Sequence, residues 1–322
     1  MTKTFGISEG DASRIPKLGF FVWYECATSD VSYKNFAKTI ERAGFDAELA
    51  PVANRKRAYH HAVKAYGREH YRVTVNRLPK HPHFFRHQIT AVLEEKMNKV
   101  EDILGFRAEV TTSFDRATEK VVVNEVSADS NARTFKHAID KHLKEYMSKV
   151  HVDVLRDWTQ MMFGRFAAVN ARKSGGLYFV PAEHEENLAN LEAVLAEMDS
   201  TLYVHPVFDT TTWRKNAAGF VTDDLVADFD QMKAELDKVV AESKSTGEIK
   251  RYKLDTILGR FMKLQTKEGM YEDLLKIKLT DLQKGISSVK RQITNLTLGK
   301  VKGIEAVDTA HEIRERNRAV KR

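Results

Sequence analysis

The sequence predicts an α+β protein: a mixed α/β N-terminal and central region with a β-hairpin, followed by a long C-terminal antiparallel helical hairpin. Three observations predict it. The run Lys17–Glu25 (KLGFFVWYE) is apolar and aromatic-rich, which marks a buried strand. Phe106, Ala108, Val110, Thr112 and Phe114 alternate toward the polar turn Asp115–Thr118, and Val121–Val126 leads back, which marks a hairpin. From Thr222 onward, apolar residues recur at helical spacing almost to Leu296.

The elements follow in order. After the first strand, Ser29, Asp30 or Ser32 can cap a helix whose inner face carries Tyr33, Phe36, Ala37 and Ile40, ending near Gly44. A short strand is expected around Ala47–Ala50. Asn54 reads as the N-cap of a second helix, with Gly67 as its C-terminal glycine. His70–Leu78 alternates as a strand, and Ile89, Val92, Leu93, Lys96, Met97 and Val100 repeat at helical spacing. Two helices are expected over Asn131–Met147 and Val152–Val169, then a strand–helix–strand unit from Leu177 to Asp209. In that unit Glu183, Glu185 and Glu186 complement the helix dipole.

Thr222 with Asp223 and Asp224 reads as a helix start, and Ser243–Gly247 as the turn into a second arm. The domains expected are an α/β domain over 1–128 with a basic segment at 54–87, a helical pair plus strand–helix–strand unit over 129–220, a coiled-coil-like hairpin over 221–302, and a flexible tail over 303–322.

Composition narrows the function classes. A chain of 322 residues with 42% hydrophobic residues can bury a sizeable core. Its single cysteine, Cys26, excludes an internal disulfide and points to a reducing, cytoplasmic setting. Cys26 itself reads as a small buried hydrophobe. No apolar run approaches the ~20 residues that cross a bilayer, and no secretory signal opens the sequence. Neither a membrane association nor a cofactor is expected. The familiar nucleotide, zinc-protease, hydrolase and kinase signatures are absent, so no catalytic residue is assigned.

The net charge of +7 is uneven. Thr222–Glu242 holds seven acids against two lysines, whereas Glu248–Lys302 holds thirteen Lys/Arg against six acids. Two oppositely charged helices laid side by side account for this. The segment Asn54–His87 differs, with nine Lys/Arg, six histidines and only Glu69 as an acid. Arg57, His61, Lys64 and Arg68 fall at i, i+4, i+7 and i+11, one stripe of a helix whose other side carries Tyr59, Ala62, Val63 and Tyr66. Such a stripe repels itself unless an anion covers it. The expectation is therefore nucleic acid, DNA or RNA read with little specificity, bound by Arg57, His61, Lys64, Arg68, Arg72 and Arg77. Tyr71, Phe84 and Phe85 lie nearby to stack on bases. The competing reading is a solvated face neutralised by acids elsewhere in the fold.

Three smaller features complete the candidates. Arg172-Lys173-Ser174-Gly175-Gly176 offers charge and glycine backbone to a phosphate, with Arg172 and Lys173 as further nucleic-acid contacts. It precedes a strand and lacks the P-loop form, however, and a Gly-Gly turn serving geometry alone is the preferred reading of the glycines. His81, His83 and His87 suggest a metal, but the bland reading of surface histidines is preferred and no metal site is assigned. His205 and Asp209 at a strand end give a metal-dependent nuclease as a remote alternative. A further alternative is an assembly or adaptor protein binding an acidic partner through the hairpin and basic face, and a homo-oligomer is expected.

The stretch Gly164-Arg165-Phe166 with Arg172-Lys173-Ser174-Gly175-Gly176-Leu177-Tyr178-Phe179-Val180-Pro181, followed by a Leu-rich helix, resembles a family of uncharacterised phage and bacterial proteins. The resemblance implies a phage or prokaryotic setting and brings no activity or site residues with it.

Overall fold

A computed structural model describes residues 16–69, 73–77, 84–93, 105–115, 117–118, 120–125, 131–172, 175–298 and 305–307. The strands are β1 (Lys17–Glu25), β2 (Val73–Arg77), β3 (Phe84–Leu93), β4 (Gly105–Asp115), β5 (Val121–Glu125), β6 (Val169–Asn170), β7 (Tyr178–Pro181), β8 (Thr201–Phe208), β9 (Glu248–Lys250) and β10 (Glu305–Val307). The helices are α1 (Tyr33–Arg42), α2 (Arg55–Glu69), α3 (Asn131–Ser148), α4 (Val152–Arg165), α5 (Glu185–Ala196), α6 (Thr211–Thr246), α7 (Arg251–Leu275) and α8 (Thr280–Thr297). The α+β class is borne out. The chain forms two compact units that interleave in sequence, one from Met1–Tyr24, Met161–Ala189 and Leu202–Arg322, the other from Glu25–Gln160 and Asn190–Thr201. No helix among the described residues is long and apolar enough to cross a membrane.

The first unit contains a four-stranded sheet of order β6-β7-β1-β8. β1 and β7 run antiparallel with Gly19 opposite Pro181 and Val22 opposite Tyr178. Glycine is required at 19 because a Cβ there would stand 2.4 Å from the Val180 carbonyl oxygen. Phe179 is fully buried, with the rings of Phe21, Phe220 and Tyr271 around it at 6.0, 5.5 and 6.4 Å. The Tyr271 hydroxyl donates to the Ala167 carbonyl at 2.9 Å, so its buried oxygen has a partner.

The same unit carries α6, α7 and α8. Leu225, Met232 and Leu236 of α6, Leu254, Ile257, Phe261 and Leu264 of α7, and Ile286, Val289 and Ile293 of α8 share one apolar core. The expectation that the acidic and basic segments pair holds. Lys253–Glu242, Arg260–Glu235 and Lys267–Asp224 bridge α6 and α7, and the order of partners makes the two helices antiparallel. The cations recur every seven residues, the spacing that keeps a helix facing one neighbour.

The second unit contains the sheet β2-β3-β4-β5, antiparallel at every pairing, with α2 packed along α3. Ser32 caps α1 by accepting from Asn35 N at 3.2 Å, and Asn54 caps α2 by accepting from Arg57 N at 3.0 Å. Asp115 closes the hairpin turn by accepting from Ala117 N at 2.8 Å. Tyr59 is buried against Phe114, which anchors α2 on the sheet.

Several elements differ from the sequence reading. Phe84–Leu93 is a strand, not the start of a helix, because β2 and β4 pair with it on both sides and Ile89, Thr90 and Val92 are β-branched. Lys96, Met97 and Val100 lie outside the described residues. Ala47–Leu49 is a 3₁₀ turn capped by Asp46 rather than a strand. Helix α2 runs through Gly67 to Glu69. Helix α6 begins at Thr211, where Thr210 accepts from Trp213 N, and Thr222 sits inside it with its hydroxyl on the Ala218 carbonyl. Among the described residues the C-terminal region holds three helices, since Lys276 at φ 55° ends α7 and the chain re-enters as α8.

Candidate functional site: a shared carboxylate beside the basic helix

The most concentrated chemistry lies where α2, the end of α3 and the start of α4 meet. Asn54 sets the phase of α2, which buries Ala58, Tyr59, Ala62 and Val63 and turns Arg57 and His61 sideways. The α3–α4 junction brings His151, and the first turn of α4 brings Asp153. Asp153 is the hub. Its Oδ2 accepts from Arg57 Nη2 at 2.7 Å and lies 2.7 Å from His61 Nε2. Its Oδ1 lies 2.6 Å from His151 Nδ1 and accepts from the Tyr146 hydroxyl at 2.9 Å. Arg57 also reaches Asp157 with Nη1 at 2.8 Å. The His61 ring stacks on Tyr146 at 4.5 Å, and the His151 ring lies tilted against Tyr146 at 4.8 Å and His61 at 5.0 Å.

The electrostatics follow from crowding charge into a half-buried place. Burial pushes the Asp153 carboxyl up, but hydrogen bonds from Tyr146 and His151 and the charges of His61 and Arg57 outweigh it and hold the group at about 2. Burial lowers the His61 ring below its ordinary value, and the Asp153 carboxylate opposes that only in part. Burial, the hydrogen bond to Asp153 and its charge all raise the Tyr146 hydroxyl, so it stays protonated and donates. Among the described residues, His61, His151 and Asp153 bring three metal-ligand atoms within 4.8 Å of one another.

The residues expected to bind nucleic acid fare differently from one another. Arg57 and His61 come together, but on Asp153, so an internal acid neutralises the head of the stripe. Lys64 is exposed on α2. Arg68 on α2 and Arg77 on β2 have side chains outside the described set, and Arg72 and Lys173 lie outside the described residues. Arg172 is exposed in the turn between β6 and β7, where Gly175 and Gly176 take φ of 72° and 82° and Gly175 N donates to the Arg172 carbonyl at 2.8 Å. The glycines thus serve the turn geometry. Arg172 borders a groove of about 1010 Å³ that Asp223, Asp224 and Asp228 also line, and these acids oppose a phosphate there.

Other candidates are accounted for locally. Asp209 accepts from both Nε and Nη2 of Arg214, and His205 stacks on Trp23 at 5.1 Å. Cys26 is half-buried with its thiol pushed up by burial, against the partial pull of Arg156 and Thr159, which makes it a poor nucleophile at neutral pH. His81 and His83 lie outside the described residues, and His87 is placed on β3 by its backbone alone.

Sequence reasoning missed Tyr146, His151 and Asp153. A His-x-Asp at a helix start was visible, but nothing local tied it to Arg57 and His61 some ninety residues earlier.

The described residues thus define an α+β protein with two four-stranded sheets, a short β9–β10 pair and a carboxylate-centred polar cluster. The chain belongs to a family of unknown function, DUF6744, whose pattern matches residues 17–302. No curated protein and no solved structure matches it.

Proposed function

We propose that the chain binds nucleic acid without catalysing a reaction on it, through exposed lysines of α2 and α3, in the cytoplasm of a prokaryotic or phage-infected cell. The state of the acids is the observation that supports this. Asp153 and Asp157 are occupied by Arg57 and the histidines, and so are not left to neutralise Lys64. Lys64 on α2 and Lys141 and Lys144 on α3 are exposed and form no ion pair with another described residue. Because α2 packs along α3, these ammonium groups belong to one pair of adjacent helices. Flexible lysines attract phosphates as point charges and carry little base preference. In this reading Arg57 is not a phosphate ligand; it fastens α2 to the start of α4.

Self-association through the C-terminal helices has less support, since their apolar stripes are covered by one another and by α8 within the chain.

The test is fluorescence anisotropy with labelled single- and double-stranded DNA and RNA at about 50 mM salt. Replacing Lys64, Lys141 and Lys144 together by glutamate is expected to weaken binding about tenfold or more, with the circular dichroism unchanged. Equal affinity in a folded triple variant overturns the reading.

A further inference from the structure

The cluster on Asp153 has a second use that the nucleic-acid reading does not need. We propose that His61, His151 and Asp153 bind one divalent transition-metal ion of the zinc class, with water completing the coordination.

Two imidazoles and one carboxylate suit zinc, cobalt and nickel, and a three-residue set leaves a position for solvent. The donors come from two segments that are each fixed independently. His61 is set by the Asn54-capped helix α2, and His151 and Asp153 by the first turn of α4, where Val154 N and Leu155 N donate to the His151 carbonyl at 2.9 and 3.0 Å. Their ligand atoms already converge within 4.8 Å. His61 Nε2 and His151 Nδ1 lie 2.7 and 2.6 Å from the Asp153 oxygens, which is hydrogen-bond spacing. Donors around a tetrahedral zinc at about 2.0–2.1 Å stand roughly 3.3 Å apart, so each His-to-carboxylate spacing needs to open by less than about 1 Å, within a set of ligand atoms that already spans no more than 4.8 Å.

The proton balance is simple. Ligation takes the neutral form of each ring with the lone pair on the nitrogen nearest Asp153, so a proton carried there moves through solvent to the other nitrogen, His61 Nδ1 or His151 Nε2. The freed lone pairs face the ion, and no net proton is lost. Both rings are about one-third exposed, so water can serve the relocated N–H groups.

Arg57 is the obvious competitor, since its guanidinium holds the carboxylate the metal would take. Asp157 resolves the competition. It already accepts from Arg57 Nη1 at 2.8 Å, so Arg57 keeps an anionic partner when Asp153 turns to the ion. Tyr146 donates to Asp153 at 2.9 and 3.1 Å and supplies the outer bond that orients a ligating carboxylate.

The experiment titrates the full chain with zinc against a chromophoric chelator, and with cobalt by its visible absorption. One equivalent is expected to bind, with a matching rise in melting temperature. His61→Gln combined with His151→Gln is expected to weaken binding about tenfold or more and to remove the thermal shift. His151→Ala alone alters the most exposed ligand and repeats the result should the double variant fail to fold. Replacing His81, His83 and His87 by Gln is expected to change nothing. No competition with the chelator, or a signal lost in the His81/His83/His87 variant and kept in the His61/His151 variants, overturns the proposal. Either result leaves the lysine reading untouched, because that reading uses none of these ligands.

Discussion

Arg57 Nη2 lies 2.7 Å from Asp153 Oδ2, so the residue heading the basic stripe of α2 is neutralised from within the fold. The pair is half-buried, and the same carboxylate serves His61, His151 and Tyr146. Removing the carboxylate strands a hydroxyl and two rings at once and leaves Arg57 with Asp157 as its one remaining acid among the described residues. Asp153→Ala is expected to destabilise the chain by about 3 kcal/mol, read as a lower urea midpoint. A variant within about 0.5 kcal/mol of the wild type would mean the cluster does not hold α2 in place.

Stability should also respond to acid, with a sign that the two groups share. The folded His61 ring titrates below its ordinary value of 6.5, so the unfolded chain takes up the proton first. Its contribution is present above about pH 6.5 and is lost as the pH falls toward the folded value. Asp153, held at about 2 against an ordinary 3.8, contributes above about pH 3.8 and loses that only in stronger acid. Urea midpoints measured from about pH 7.5 to about 5.5 are therefore expected to fall in the wild type and to fall less in His61→Gln. The same slope in both proteins would assign the titration elsewhere.

Much of this architecture was legible in the sequence, and the rest was not for identifiable reasons. Asn54 and Ser32 announce their helices because capping is local, and Asp115 announces its turn for the same reason. The lysines at 253 and 267 and Arg260 announce an acidic neighbour by their charge alone. Phe84–Leu93 misled, since Ile89, Val92 and Leu93 fit a helical period and only pairing on both edges makes them a strand. Neither the β1–β7 pairing nor the Arg57–Asp153 contact leaves a local trace, because each joins residues far apart along the chain. Sequence thus exposed the cations and hid the acid that answers one of them.

Glu268 gives an independent check on the C-terminal helices. It is 1% exposed, with Oε1 lacking a hydrogen-bond partner, and burial followed by the Glu272 charge raises its carboxyl despite Lys278. A raised carboxyl contributes stability below its ordinary 4.5 and loses it as the pH rises through the folded value. Glu268→Gln removes the buried charge and is expected to raise the melting temperature at neutral pH by roughly 2 °C or more. A lower melting temperature would show that the carboxylate is needed there.

Gly19 tests the sheet. A methyl group there meets the Val180 carbonyl oxygen at 2.4 Å and the Phe179 ring at 2.6 Å, and neither can retreat from the β1–β7 pairing. Gly19→Ala is expected to cost about 2 kcal/mol or more, seen as a fall in the denaturation midpoint. A neutral substitution would mean that β1 and β7 are not so closely paired.

The functional account stands or falls on how binding responds to salt. Affinity of the wild-type chain for a labelled oligonucleotide, followed between about 50 and about 200 mM potassium chloride, is expected to fall linearly on a log–log scale with a slope of roughly −2 to −3, the signature of two or three phosphates neutralised by lysines. A slope near zero, or no binding at the lowest salt, would contradict it.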